Sequence, residues 1–177
     1  MIYAGIGARK TPGDILHAMV QVGTFMAAEG AILRSGGAQG ADRAFEIGCD
    51  FNSNGRKDSL KEIYLPSPGW QSNESEHHDV SYEAMRVASM FHPGWGRLDP
   101  FVKRLMGRNT YQMLGLDLKT PANFVCCWTL NGGIVGGTGQ ALRMAAYYGI
   151  PVINFGHLSF SEVNNRIIAI LEANDAA

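Results

Sequence analysis

Short apolar runs alternate along the chain with longer segments in which apolar residues recur every three or four positions. The runs lie at residues 2–6, 31–33, 61–65, 123–128 and 151–154. Runs of this length, bounded by glycine or proline, are typical of buried β-strands. The alternation with helical segments predicts a mostly parallel sheet of about five strands with helices on both faces. We therefore expect a single α/β domain, a three-layer sandwich, over residues 1–177.

Capping residues and breakers predict where the helices begin and end. Thr11 precedes Pro12, which predicts a first helix with Thr11 as its N-cap, and Gly30 ends that helix. Six residues at helical spacing are expected to form its inward face: Ile15, Leu16, Met19, Val22, Phe25 and Met26. Further helices are predicted over residues 42–50, 82–91, from 100, over 140–148 and over 160–171, with a frayed tail from 172.

Two polar segments are predicted to be loops. Residues 51–58 are rich in helix and strand breakers, and residues 67–81 follow the third apolar run. The second loop is expected to lie over the strand ends, where open α/β sheets carry their ligand loops. His77 and His78 within it are adjacent, so they lack the spacing with which two imidazoles converge on a metal. We expect neither a metal nor a resident cofactor.

Three glycine-rich turns each follow an apolar run and precede a helical segment. They lie at residues 5–9, 35–42 and 132–139. A turn of this kind places backbone N–H groups and the positive end of a helix dipole at one point, which suits a phosphate or carboxylate. The candidate ligand-binding residues on the turns are Gly5, Gly7, Ala8, Arg9, Ser35, Gly36, Gly37, Ala38, Gly40, Asp42, Gly136, Gly137, Thr138 and Gly139.

One predicted helix adds a polar face to these turns. Arg108 and Gln112 are four residues apart and share a helix face, with Asn109 beside them. The face either looks into a ligand site or is solvated, and we favour the site. Trp128 and Thr129 end the fourth apolar run beside the third turn, so they are candidates for base stacking and ligand contact.

Composition narrows the classes of partner. A formal net charge of −1 gives no general attraction to nucleic acid or to an anionic membrane. No apolar run approaches the length that spans a bilayer, and no leader pattern opens the chain, so a soluble cytoplasmic protein is expected. Cys126 and Cys127 are neighbours on a strand and point to opposite faces, so with Cys49 they are expected to be reduced packing residues.

The residue pattern also resembles a known superfamily. Residues 35–42, Ser-Gly-Gly-Ala-Gln-Gly-Ala-Asp, resemble the phosphate-binding turn of the SLOG superfamily. That superfamily includes the Rossmann-like core of DNA-processing protein A (DprA) and the LOG-type nucleotide phosphoribohydrolases. Residues 5–12 are similar to the first DprA turn, and residues 106–109 followed by 136–139 are similar to the LOG arrangement. The resemblance implies a Rossmann-like fold and a nucleotide-type ligand.

Two departures limit what the resemblance implies about chemistry. LOG enzymes carry a glutamate three positions after the threonine of their glycine turn, and here that position is Ala141, with Gln140 beside it. Proteins of the DprA type also have flanking domains and a basic DNA-binding face, and from its 177 residues and near-neutral charge we expect neither in this chain.

Three functions therefore stay open. The first is cleavage or transfer at the N-glycosidic bond of a nucleotide, with Arg108 neutralising charge and Glu46 or Asp42 acting at the ribose carbon. Glu46 is four residues after Asp42 and is the local substitute for the family glutamate, whereas Asp42 is either a helix N-cap or a ribose acceptor. The second is a module that binds a nucleotide or ADP-ribose-like ligand without chemistry. Single-stranded DNA binding is less favoured. A homodimer is expected.

Overall fold

The strands of this protein form one parallel sheet. The computed structural model describes residues 1–51 and 60–176, so most of the loop predicted at residues 51–58 lies outside the described residues. The strands within these ranges are β1 (Ile2–Gly7), β2 (Ile32–Ser35), β3 (Lys61–Ile63), β4 (Phe124–Trp128) and β5 (Val152–Asn154). Their order is β3-β2-β1-β4-β5, and each neighbouring pair is parallel. The predicted parallel sheet is confirmed.

Helices cover both faces of the sheet. They are α1 (Gly13–Ala28), α2 (Ala41–Phe51), α3 (Tyr82–Met90), α4 (Pro100–Leu114), α5 (Gly136–Tyr147) and α6 (Phe160–Asp175). Buried side chains of α1, α2 and α6 form one core with the sheet, and those of α4 and α5 form the other. This is the three-layer α/β sandwich that the alternating pattern predicts.

The adjacent cysteines of β4 illustrate the two cores. Cys126 packs in the core under α1, α2 and α6, whereas Cys127 packs in the core under α4 and α5. Both side chains are fully buried, as is Cys49. Burial raises the pKa of Cys127 to about 12, so its thiol stays protonated near neutral pH. The expected packing role of these cysteines is therefore confirmed.

The first helix differs from its prediction at two points. Pro12, rather than Thr11, is its N-cap, and the Thr11 hydroxyl instead donates to the Ala8 carbonyl at 2.7 Å, within the first glycine turn. Phe25 is 42% exposed, so its predicted place on the inward face is wrong. The buried stripe of α1 includes Gly23, where an added Cβ would lie 2.6 Å from the Phe45 carbonyl oxygen of α2. A close helix contact at a glycine changes which face of α1 is buried, and the pattern of apolar residues does not predict it.

The last helix has a capping box at its start. Ser159 Oγ accepts from the Glu162 N–H at 3.3 Å, and the Glu162 carboxylate accepts from the Ser159 N–H at 2.8 Å. Val163 and Ile167 are its buried residues, and the helix continues beyond Leu171 to Asp175. No helix within residues 1–51 and 60–176 is both long and apolar enough to cross a membrane.

Replacing Ser159 by alanine is expected to destabilise the protein by about 1 kcal/mol, because the first N–H groups of α6 lose their acceptor. Urea unfolding monitored by circular dichroism measures the change. Ser159→Asp keeps an acceptor at the cap and should retain most of the stability. An alanine variant as stable as the wild type would mean that the box contributes nothing.

Candidate functional site

A cavity opens at the carboxyl ends of β1, β2 and β4. Strand β1 continues to β2 on one side, and the chain later crosses to β4 on the other side, so the strand order reverses at β1. Open α/β sheets bind ligands at such a switch point. The cavity has a volume of about 310 Å³. Its lining consists of Ile6, Gly7, Ala8, Arg9, Ala38, Asp42, Leu105, Met106, Arg108, Asn109, Gln112, Val135, Gly136, Gly137, Thr138 and Ala141.

The cavity brings all three glycine turns and the polar face of α4 together. Eleven of the nineteen candidate ligand-binding residues named from the sequence line it. The first turn contributes Gly7, Ala8 and Arg9, and the third contributes residues 136–138. The second turn contributes Ala38 and Asp42, and α4 contributes Arg108, Asn109 and Gln112. Candidate residues from all three turns and from α4 therefore meet at one cavity.

A buried ion pair lies at the centre of this site. Arg108 Nη1 donates to Asp42 Oδ2 at 3.3 Å, and the two residues are 7% and 3% exposed. The other oxygen, Asp42 Oδ1, accepts from the Gly7 N–H at 3.2 Å, which ties the second turn to the first. Arg108 Nε is buried and has no hydrogen-bond partner among the described residues.

Burial controls the electrostatics of the pair. It raises the pKa of Asp42, and the positive charge of Arg108 opposes that rise. Burial also lowers the pKa of Arg108, with Asp42 opposing the change and the second cation, Arg9, adding to it. Two guanidinium groups therefore face one cavity that contains a single nearby carboxylate among its described lining residues. An anion bound between them would relieve their repulsion.

An amide network extends the pair across α4 to the third turn. In the orientation that satisfies its neighbours, the Gln112 amide oxygen accepts from the Gly36 N–H at 2.7 Å and from Arg108 Nη1 at 3.0 Å. Its nitrogen donates to Asn109 Oδ1 at 3.0 Å. Asn109 Nδ2 donates to the Gly137 carbonyl at 3.2 Å and to Gln140 Oε1 at 2.9 Å. These bonds fix the positions of the turns relative to one another.

Two glycines of the second turn permit close approach without lining the cavity. An added Cβ at Gly36 would lie 1.0 Å from Arg108 Nη1 and 2.2 Å from Cζ. Gly40 has φ +88°, and its added Cβ would lie 2.7 Å from the carbonyl oxygens of Ala8 and Arg9. The turn can therefore pack against Arg108 and the first turn only with glycine at these positions.

Six further candidates have structural contacts and lie outside the cavity lining. An added Cβ at Gly5 would meet Leu33 and Phe45 at 2.7 Å, and the Ser35 hydroxyl donates to the Gly5 carbonyl at 2.6 Å. The remaining four also have contacts away from the cavity. Gly37 faces Leu65, and Gly139 faces the Ile134 backbone. Thr129 Oγ1 accepts from Asn154 at 2.8 Å, and Trp128 is half-buried against the core.

Glu46, predicted as the local substitute for the glutamate of LOG enzymes, does not share the cavity with Asp42. Its side chain is buried, and its carboxylate pairs with Lys61 Nζ at 3.1 Å and Arg43 Nη1 at 3.0 Å. Asn73 Nδ2 lies 3.3 Å from both of its oxygens. Glu46 lies one helical turn after Asp42, about 6 Å further along α2, and is therefore nearer to β3 than to the strand ends at the cavity. The carboxylate is therefore neutralised in a separate pocket.

The N-terminus of α5 lies at the cavity. Its N-cap, Val135, makes no side-chain capping bond. Gly136, Gly137 and Thr138, which form the first helical turn of α5, line the cavity. The first N–H groups of a helix have no intrahelical acceptor. Ala141, one helical turn further, also lines the cavity, so the position that resembles the glutamate of LOG enzymes carries no carboxylate here.

One side of the cavity is formed by residues that the sequence patterns do not predict. The Trp70 ring lies over Arg108, with 5.4 Å between the ring centroid and Cζ. Leu105, Met106 and Val135 give the cavity an apolar part. Trp70 lies in a polar loop far along the chain from Arg108, and no spacing rule connects the two. Met106 and Leu105, by contrast, adjoin the polar face on α4 and could have been found from that face.

Comparisons with known proteins bear on the fold. No protein-family model matches the chain, and no curated protein matches it. A solved structure of DNA processing protein A from Helicobacter pylori, studied for its single-stranded DNA-binding mode, superimposes with a TM-score of 0.57. The two proteins share a fold. The similarity covers 98% of this chain and 81% of that one, at 14% sequence identity.

Proposed function

We propose that this protein binds a nucleotide through its phosphate group in the cavity between the three glycine turns. The observation that carries the proposal is the buried Arg108, which lines the cavity and has an Nε–H without a partner among the described residues. A buried guanidinium with unused donor capacity is costly unless an acceptor completes it. A phosphate supplies several such acceptors.

The surroundings of Arg108 favour an anion over a neutral ligand. Arg9 is exposed at the cavity and brings a second positive charge, which steers anions and pairs with them once bound. The uncapped first turn of α5 adds N–H donors and the positive end of its dipole. The resemblance of residues 35–42 to the SLOG turn supports the same ligand class, and we propose membership of that superfamily on this basis.

The rest of the cavity suits the remainder of a nucleotide. Its volume of about 310 Å³ is at the lower end of ordinary ligand pockets, which run from roughly 300 to 1,000 Å³. Leu105, Met106 and Val135 offer apolar contacts for a base or sugar face. A phosphate near Arg108 and Arg9 with a base against these side chains would use both parts of the cavity.

The positions of the carboxylates favour a protein that binds the nucleotide without cleaving it. Both Asp42 oxygens are engaged, by Gly7 N–H and by Arg108, so neither is poised to activate water. Glu46 is neutralised in another pocket, and Ala141 has no acid. Cleavage at the N-glycosidic bond would therefore require Asp42 to exchange a partner when the ligand binds.

Single-stranded DNA is a second candidate ligand, because the structural neighbour from Helicobacter pylori binds it. The same cavity would then hold one nucleotide unit of the strand. Lys103 adds a cation on the N-terminal half of α4, and its ammonium lies 5.9 Å from the ring centroid of Trp95, which precedes that helix. Binding of this kind combines backbone phosphates with stacking, and it weakens steeply with salt.

Thermal unfolding with a panel of nucleoside monophosphates, NAD-type compounds and a short oligothymidylate tests the proposal. A monophosphate at 100 times its dissociation constant should stabilise the protein by about 2.7 kcal/mol. Arg9→Ala should weaken that effect, and Arg166→Ala, a surface variant on α6, should not.

Chromatography of the same mixtures decides between binding and chemistry. Intact ligand after incubation supports a binding module. Released base that disappears in Asp42→Asn would support the enzyme instead. If only the oligonucleotide stabilises the protein, and added salt removes the effect, the second candidate is correct. No stabilisation by any compound would contradict both.

A further inference from the structure

The loop between β3 and α3, residues 64–81, covers the second glycine turn. Gln71 Oε1 accepts from the Gln39 N–H at 2.8 Å. Gln39 belongs to the turn, and its N–H lies on the peptide that joins it to Ala38, a cavity-lining residue. A carboxamide oxygen of the protein therefore occupies a backbone donor of the kind that such turns offer to phosphate oxygens.

The tip of this loop has a strained backbone. Gln71 and Ser72 both have left-handed φ values, 53° and 59°, and neither is glycine. Side chains with a Cβ rarely adopt this conformation, and it persists only where surrounding contacts hold it. The bond from Gln39 to Gln71 is such a contact. Releasing it would allow the tip to relax.

The loop is held firmly on either side of its tip. Arg104 Nε of α4 donates to the Pro66 carbonyl at 2.6 Å, and Ser75 Oγ donates to the Ile63 carbonyl at 2.5 Å. Between these anchors, Trp70 lies over the Arg108 guanidinium. Trp70, the residue next to Gln71, therefore connects the loop tip to the central cation of the site.

We propose that Gln71 is a built-in competitor for the ligand, so that the loop regulates access to the cavity. This inference rests on the proposed function. In the closed state Gln71 occupies the Gln39 N–H and Trp70 covers Arg108. An anion that takes this N–H displaces Gln71, releases the left-handed tip and moves Trp70 from Arg108. The apparent affinity is then reduced by the fraction of closed molecules.

Calorimetric titration of wild type, Gln71→Ala and Gln71→Gly with adenosine 5′-monophosphate, and separately with inorganic phosphate, tests this inference. Both variants should bind roughly two- to tenfold more tightly than the wild type, the change expected for loss of one competing hydrogen bond. The glycine variant also accepts the left-handed backbone, so it should remain folded if the alanine variant does not. Gln21→Ala, an exposed glutamine on α1, should bind like the wild type.

The outcomes separate the two proposals. If wild type binds and both Gln71 variants bind equally or more weakly, Gln71 is a loop support or a ligand contact, and the inference is overturned while the proposed function stands. If neither the wild type nor any variant binds either probe, both the inference and the proposed function fail. Phosphate binding should also change tryptophan emission in the wild type, and Trp70→Phe should remove that change. An emission change that persists in Trp70→Phe would contradict the movement of the loop.

Discussion

Replacing Arg108 by methionine is expected to destabilise the folded protein by about 3–5 kcal/mol, the usual effect of leaving a buried charge without its partner. Asp42 would lose the cation at 3.3 Å, and Gln112 would lose one of its donors. Nucleotide binding should be abolished as well, because the central positive charge is gone. Urea unfolding measures the first effect, and calorimetric titration measures the second.

Two comparisons isolate the buried pair. Arg86→Met removes an exposed arginine of α3 and should cost less than about 0.5 kcal/mol. The double variant Arg108→Met with Asp42→Asn removes the orphaned charge and should recover part of the lost stability, without recovering binding. Equal stability of the single and double variants would contradict the pairing.

The same variant has a defined dependence on pH. Burial already raises the pKa of Asp42, and loss of Arg108 raises it further. The folded variant then binds a proton more tightly than the unfolded chain does, so its stability increases as pH falls. The deficit relative to the wild type should therefore be smaller under mildly acidic conditions than at neutral pH.

Replacing Gly36 by alanine is the second large effect that we expect. The new Cβ would lie 1.0 Å from Arg108 Nη1 and 2.6 Å from the Gln112 carboxamide, so both side chains must move. The ion pair with Asp42 would be broken without removing either charge. A loss of about 1–3 kcal/mol is expected for such overpacking, together with loss of nucleotide binding. Thermal unfolding with and without ligand measures both.

Gly13→Ala is the matched control. An added Cβ at Gly13 meets nothing within 4 Å, and the position lies at the start of α1. This variant should be as stable as the wild type or slightly more stable, and it should bind normally. Normal ligand binding by Gly36→Ala would mean that the position of Arg108 against the second turn is not needed for the site.

Local signals explain why the residues of the candidate site could be predicted from the sequence. Each glycine turn follows an apolar strand and precedes a helix, and a parallel sheet brings all such turns to one edge. The polar face of α4 could be read from the spacing of Arg108 and Gln112 alone. These features are encoded within a few residues, so they did not depend on knowing the packing of the sheet.

The features that the sequence did not reveal depend on tertiary packing. Asp42 and Glu46 share a helix face, but the lysine of β3 and the asparagine of the β3–α3 loop draw Glu46 into a separate pocket. Trp70 and Gln71 reach the site from a polar loop without periodicity. Gly5, a glycine like its neighbours on the turns, proved to be needed for core packing against Leu33 and Phe45.

The most direct test of the account is a titration of the isotopically labelled protein with a nucleoside 5′-monophosphate, followed by backbone amide NMR. The largest shifts should occur at Arg9, Ala38, Gly137 and Thr138, and the matching nucleoside without phosphate should produce much weaker shifts at the same concentration. Shifts centred on another surface, or equal responses to nucleoside and nucleotide, would contradict a phosphate site between the three glycine turns.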